Sequence, residues 1–389
     1  MRLTKRLFDI SRIVISNKSN LKHGRGEQTA MTKKITYSDA GVNREQRTES
    51  KKELKKLKET YKYCTQGAVM HLPYGNIFPF KENTYLDLVI EGVGTKVLVA
   101  QLADKFNTIG VDAVAMAVND VIRSGARPIA MADNIHAIAS DPHLVKNWLE
   151  GIANGAKKAE CPVTSGEIGD VAEIIKGLTP NQGFDMIVSV IGHVQKKNII
   201  TGKNIKPGDT IIGLASSGLH SNGISLARKI LFKQWGGKFD RFDIPNNLER
   251  PIVQEVLEPT KIYVKSILNL NEEIKIKAVV HITGDGYLKF GNLNGFSPGI
   301  GFEFSNFKPH PIFSIIQDTA RDLGYILTDE EMFRTFNMGW GFAIIIEKEE
   351  LENALSILEK SGDKPEEIGK ITDSNKIKVI YKNKKIMLT

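Results

Sequence analysis

The chain has 389 residues, 41% of them hydrophobic and 25% charged, an ordinary globular balance with length enough for two domains. Cys64 and Cys161 stand far apart with no CxxC or Cys/His spacing, which argues against a disulfide framework or a zinc site. No apolar run approaches the roughly 18–20 residues that cross a bilayer, so a cytoplasmic chain with no membrane role is expected. The net charge of +8 is a weak sign of nucleic-acid binding, because residues 1–30 alone hold seven Lys and Arg against two Asp and Glu. Such a leader suits an upstream extension ahead of Met31, a transit peptide or a nucleic-acid arm. Residues 1–36 are read as a basic, disordered extension.

The Lys/Glu-rich "REQRTESKKELKKLKET" reads as a solvated helix. "TYLDLVIEGVGTK" is the first dense strand signal, followed by helical spacing in "VLVAQLADKF" and "TIGVDAVAMAVNDVIRSGA" and by the strand "RPIAMADNIHAI". A further helix, "HLVKNWLEGIANGAKKAE", leads into "CPVTSGEIGD", read as a short strand running out into a loop. "FDMIVSVIGHVQ" is another strand. The Pro-Gly-Asp turn of "KPGDTIIGLASSGLHSNG" opens a new strand and places a domain boundary near Lys206 to Asp209. Beyond it, "SLARKILF" and "PTKIYVKSILNL" read as helices, "IKAVVHITGDG" as a strand ending in a glycine-rich turn, and "GFAIIIEKEE" as a late strand. Both halves are α/β (α+β).

Several strand ends carry chemistry. "GVGTK" is not a Walker loop, since Lys96 is followed by Val97 rather than Ser or Thr. What remains is a strand ending in Glu91, then Gly92, Gly94, Thr95 and Lys96 at a helix start. Exposed N–H groups and an ammonium there favour anions, and Glu91 or Asp87 suits a divalent ion. A plain strand-to-helix turn satisfies the same residues. Asn119 and Asp120 interrupt an apolar helix, either on a solvent face or at a site. In "SGEIGD", Ser165, Gly166 and Glu167 suit a Mg²⁺-bridged phosphate or a polar turn. In "SSGLHSNG", His220, Ser221 and Asn222 suit phosphate or substrate oxygens, or the cap of the next helix. "HITGDG" adds His281 and Asp285, and "EMFRTFNMGWGF" puts Arg334, Thr335 and Asn337 before a strand.

From about Tyr37 onward, "YSDAGV", "GVGTK", "TIGVDAVAMAVND", "SGE", "KPGDTIIGLASSGLHSNG", "LEPTKIYVK", "HITGDG" and "EMFRTFNMGWG" together resemble the phosphoribosylformylglycinamidine cyclo-ligase (aminoimidazole ribonucleotide synthetase) family of purine biosynthesis. The resemblance implies a two-domain fold. Residues 37–205 would be an ATP-binding and dimerisation domain with a dimeric β-barrel-like core, and residues 206–389 a C-terminal α/β domain. It also implies ATP and Mg²⁺ as cofactors, formylglycinamidine ribonucleotide as substrate, and a second copy of the chain as partner, with no nucleic acid. Asp87, Glu91, Asp120 and Glu167 would hold metal or stand beside phosphate. Lys96, Gly92, Gly94, Thr95, Ser165 and Gly166 would face phosphates, and Asn119 would orient nucleotide or metal. His220, Ser221 and Asn222 would contact a phosphate, with His220, Lys96 and Glu167 as the catalytic set and His220 handling protons. Arg334, Thr335 and Asn337 would bind or brace.

Two departures stand out. Glu91 occupies a position where the family usually has Asp, and "QGAVMHLPYGNIFPF" replaces the family's glycine-rich loop. A selenium enzyme of the same superfamily would need a reactive Cys in that N-terminal segment, where this chain offers only Cys64.

Overall fold

A computed structural model describes residues 33–388; of the extension expected over 1–36, residues 1–32 lie outside the described residues, whereas Lys33–Lys34 are not disordered but pair as a strand with Tyr325–Ile326, followed by a buried Ile35. Strands Met70–Leu72, Gly75–Lys81, Thr84–Gly92, Phe184–Gln195, Arg127–Ala137 and Val163–Asp170 lie side by side in that order. All are antiparallel except the last pair, joined by the helix Pro142–Ala159, the crossover a parallel pair needs. Asp141 starts that helix by accepting from the N–H groups of His143 and Leu144. Edges remain at Met70–Leu72 and Val163–Asp170, so no barrel is closed within one chain. "SGEIGD" lies in a paired strand rather than the expected loop: its parallel register with Arg127–Ala137 runs on to Asp170, giving its backbone partners throughout.

Alternation along "FDMIVSVIGHVQ" buries Phe184, Met186, Val188 and Val190 on one face and leaves Asp185, Ile187 and Ser189 half-buried on the other. Helices Ile109–Val121 and Pro142–Ala159 touch backbone to backbone through glycines. A Cβ on Gly110 would lie 2.2 Å from Ile152 N, and one on Gly151 2.4 Å from Asn107 O. Every residue of Ile109–Val121 is buried. Asp112, Asn119 and Asp120 therefore do not form a solvent face, and each needs a partner inside the protein.

Those partners come from the second half. Its seven strands run Lys384–Met387, Ile377–Tyr381, Gly301–Phe304, Pro365–Thr372, Thr210–Ala215, Trp340–Ile346, Ala278–His281. The unbroken apolar run of Trp340–Ile346 is buried along its whole length, as such a run predicts. In "PTKIYVKSILNL" only Val264–Glu273 is helical. The preceding residues stay out of the helix because buried side chains of the first half take their N–H groups: Thr260 donates to Asp112 (2.8 Å) and Tyr263 to Asn119 (3.0 Å).

Lys96 sits fully buried at this junction, its Nζ 2.9 Å from each Asp112 carboxylate oxygen and 2.7 Å from the carbonyl of Glu258. Asp112 Oδ1 also accepts from Ser221 Oγ (3.0 Å) and Thr260 Oγ1 (2.6 Å). Among the described residues no helix is long and apolar enough to cross a membrane. Removing one partner of a buried pair leaves an uncompensated charge, so Lys96→Met should destabilise the chain by about 3–5 kcal/mol in urea unfolding. The double replacement Lys96→Met/Asp112→Leu should cost less than the single one; a larger cost would mean that the pair is not what holds the halves together.

Candidate active site

Strand Thr84–Gly92 carries Asp87 and Glu91 on its helix-facing side, opposite the C-terminal end of Ile109–Val121 and the end of strand Ala278–His281. Asp87, Glu91, Asp120 and Arg123 line a cavity of about 220 Å³ whose apolar floor includes Ala278 and Val279. Asp120 Oδ1 lies 2.7 Å from His281 Nδ1, and Asp120 Oδ2 forms an ion pair with Arg123 Nη2 at 2.8 Å. Lys289, in the 3₁₀ segment Gly286–Gly295, donates to the carbonyl of His281 (3.3 Å) and to the Thr283 hydroxyl.

Burial sets the electrostatics here. It pushes the Asp87 carboxyl up to about 6, and burial reinforced by neighbouring Asp120 pushes Glu91 up to about 7. Burial also opposes ionisation of Asp120, but Arg123 and His281 outweigh it and hold that carboxyl below its usual range. Lys289 is drawn down to about 8 by burial. Burial likewise lowers His281 against the pull of Asp120, and its Nε2 has no hydrogen-bond partner. One carboxylate is thus clamped between the Arg123 guanidinium and the His281 imidazole, beside two carboxyls biased toward the neutral form.

The other expected site residues are distributed differently. Lys96 does not reach this cavity; its ammonium is spent on Asp112 and Glu258, and burial lowers its pKa. Asn119 is engaged at both ends, donating to Lys261 O (2.8 Å) and accepting from Tyr263 N–H. Thr95 Oγ1 lies 2.9 Å from Ser225 Oγ, and Asn222 Nδ2 contacts Met116 Sδ. His220 is buried in a left-handed conformation (φ 59°), and its Nε2 accepts from Ser217 N–H (3.1 Å). Burial holds it well below the usual histidine range, and its Nδ1 is buried without a hydrogen-bond partner. Gly94 (φ 67°) faces open space.

Pleating decides where Glu167 points. The register aligns Gly92, Ile187, Asn134 and Glu167 in one row across the sheet, and Glu91, Val188, Asp133 and Gly166 in the next. Glu167 therefore stands on the face opposite Glu91, three strand spacings or about 14 Å away. It does not join Asp87, Glu91 and Asp120. Ser165 shares the outer face of Glu167, whereas Gly166 lies in the inner row. Among the described residues no three His, Cys, Asp or Glu side chains converge as a ready-made metal cage.

Arg334 Nη2 donates to Leu388 O (2.9 Å) and pairs with Glu330 (2.8 Å). The Thr335 hydroxyl bridges Arg44 and Glu331. Asn337 fixes the Ser216–Gly218 loop, donating to Gly218 O (2.9 Å) and accepting from Ser216 Oγ and Gly339 N–H. All three brace. Sequence reasoning passed over Arg123 and Lys289. Arg123 lies three residues after Asp120, a helical spacing that signals the pair, whereas nothing local marks Lys289.

Residues 68–194 match the family of AIR synthase related proteins, N-terminal domain, and residues 206–382 its C-terminal domain. Phosphoribosylformylglycinamidine cyclo-ligase of Bacillus mycoides is 37% identical over 341 residues, covering 86% of this chain and 94% of the relative. The Pyrococcus horikoshii enzyme of that name is 37% identical over 352 residues, covering 89% and 98%. Among solved structures, Thermotoga maritima PurL complexed with FGAR superposes with a TM-score of 0.55 at 16% identity, over 80% of this chain and 46% of that one. Escherichia coli HypE does so with a TM-score of 0.54 at 18% identity, over 78% and 85%. These two likenesses concern the fold alone. On its sequence relatives, the chain belongs to the phosphoribosylformylglycinamidine cyclo-ligase family.

Proposed function

We infer that this chain closes the imidazole ring of 5-aminoimidazole ribonucleotide from formylglycinamidine ribonucleotide, converting ATP to ADP and phosphate, and that the Glu91–Asp120–His281 cluster lies at the reacting centre. Ring closure expels an amide oxygen, and hydroxide leaves poorly. Phosphorylating that oxygen turns it into phosphate, after which the neighbouring amidine nitrogen attacks the activated carbon within the same molecule. Such chemistry asks the protein for positioning and charge neutralisation. The observation that carries the reading is a buried Asp120 paired with both Arg123 and His281 in a cavity between the two halves.

Asp87, Glu91 and Asp120 fit Mg²⁺ in the way that ion is held beside phosphates, by one or two carboxylates with water and phosphate oxygens completing its shell. When bound, it neutralises phosphate charge. Lys96 serves as the clamp that seats the "GVGTK" loop rather than as a phosphate contact, and His220 as packing beneath the "SSGLHSNG" loop. Ser165, Glu167 and the Gly92–Gly94 loop belong to the outer face of the sheet. There Leu88 and Ile90 are 63% and 66% exposed, beside half-buried Ile187 and Ile191. A contiguous apolar face of this kind suits a second copy of the chain. Two open six-stranded sheets facing each other would give the barrel-like core.

Purified chain with formylglycinamidine ribonucleotide, ATP and Mg²⁺ should release aminoimidazole ribonucleotide and phosphate in equal amounts; phosphate without ring product would refute the cyclo-ligase reading. Asp120→Asn should lower kcat at least about a hundredfold while the fold, followed by circular dichroism, is kept. Sedimentation should find the wild type dimeric at micromolar concentration and Leu88→Asp monomeric. A wild-type monomer would remove the facing-sheet arrangement.

A further inference from the structure

The turn Pro73–Tyr74 joins strands Met70–Leu72 and Gly75–Lys81, within the stretch that replaces the family's glycine-rich loop. It is seated on Gly202, whose φ of 72° and bare Cα admit it; a Cβ there would lie 2.4 Å from Pro73 Cγ. Tyr74 reaches across to the second half, its hydroxyl donating to Lys289 O at 3.1 Å. The Arg123 guanidinium lies over the Tyr74 ring, 5.3 Å from its centroid. Arg123 Nε donates to Asp120 O (2.9 Å), Nη2 donates to Tyr74 O (3.5 Å), and Nη2 lies in ion-pair contact with Asp120 Oδ2 (2.8 Å).

A guanidinium has five N–H donors. Nε and Nη2 are engaged by Asp120 and Tyr74, and the two donors on Nη1 make no hydrogen bond among the described residues, on a side chain that is 11% exposed and lines the cavity. These donors face the open cavity and are available to an acceptor that enters it. Resting on the cyclo-ligase reading for the identity of the ligands, we propose that Arg123 Nη1 binds a phosphate oxygen in this cavity and that Tyr74 is the positioning residue that aims it. A planar fork held on one edge by Asp120 and beneath by an aromatic ring presents its remaining edge in a fixed direction, the arrangement that selects phosphate geometry. Carboxyls on the opposite wall are compatible with a phosphate that arrives with its divalent ion on that side. Two phosphates share this chemistry, the terminal phosphate of ATP and the 5′-phosphate of the ribonucleotide.

The test compares full-length wild type with Arg123→Met, Arg123→Lys, Tyr74→Ala and Tyr74→Phe. Steady-state turnover is measured with each substrate varied, and calorimetric binding of ATP and of ribose 5-phosphate is measured without turnover. Arg123→Met should raise KM at least about tenfold for one substrate and leave the other nearly unchanged, with matching weakening of that ligand in calorimetry. The affected substrate tells which phosphate is bound. Arg123→Lys should recover only part of the loss, since an ammonium keeps the charge without the fork. Tyr74→Ala should follow Arg123→Met in direction, and Tyr74→Phe, which keeps the ring under the guanidinium but loses the hydrogen bond to Lys289 O, should lose less than Tyr74→Ala. Unchanged KM and binding in Arg123→Met overturns the proposal, as does an equal loss for both ligands with a lowered melting temperature, which marks a structural role. If wild type binds these ligands but forms no ring product, the cyclo-ligase reading falls while the binding comparison still decides the role of Arg123.

Discussion

The buried contact between Lys96 and Asp112 organises the rest of the molecule. Lys96 is the first residue of the helix that follows the "GVG" loop, so fixing its ammonium fixes the loop. Asp112 belongs to a helix with no solvent on any side, and two of its donors, Ser221 and Thr260, come from the second half. Desolvating both charges offsets much of their attraction, so the pair contributes little net stability by itself. Its value lies in geometry: only one placement of the halves satisfies a carboxylate that accepts from four groups, and a slip would strand a charge in the core.

The same helix carries this logic to the cavity. Asp112, Met116, Asn119 and Asp120 recur at helical spacing and make one stripe toward the second half. Asp112 meets Lys96 and Thr260, Met116 meets Asn222, Asn119 meets the backbone of Lys261 and Tyr263, and Asp120 meets His281. Cementing the halves and shaping the cavity are therefore one set of contacts. Rigid support for a site at a domain junction follows from it, because no residue of the stripe can move without releasing a buried polar group.

Much of this frame is legible from the chain. Long periodic segments such as Ile109–Val121, Pro142–Ala159 and Phe184–Gln195 announce themselves, and so do the residue types at strand ends. Gly75–Lys81 is not legible, because Pro79 breaks its run and disturbs its pairing with Thr84–Gly92. Reading "SGEIGD" as a loop had a larger consequence. In a loop Glu167 could turn toward Glu91, whereas a strand's pleat commits it to the other face. Partners were the least legible element: His281 and Asp120 are 161 residues apart, and only the fold brings them to 2.7 Å.

The two polar clusters on the stripe differ in a way that separates support from chemistry. Around Asp112 every partner is a protein donor and the ion pair is closed. Around Asp120 the closure is incomplete. His281 Nε2 is buried without a partner, the Arg123 Nη1 donors are left facing the cavity, and neither Asp87 nor Glu91 has a cation in ion-pair contact among the described residues. Burial makes such groups costly, which is why two carboxyls there are driven toward neutrality. A protein sheds that cost by replacing the groups with apolar ones unless a ligand completes them, so spare donors and shifted carboxyls around one small cavity mark where the ligand enters the accounting.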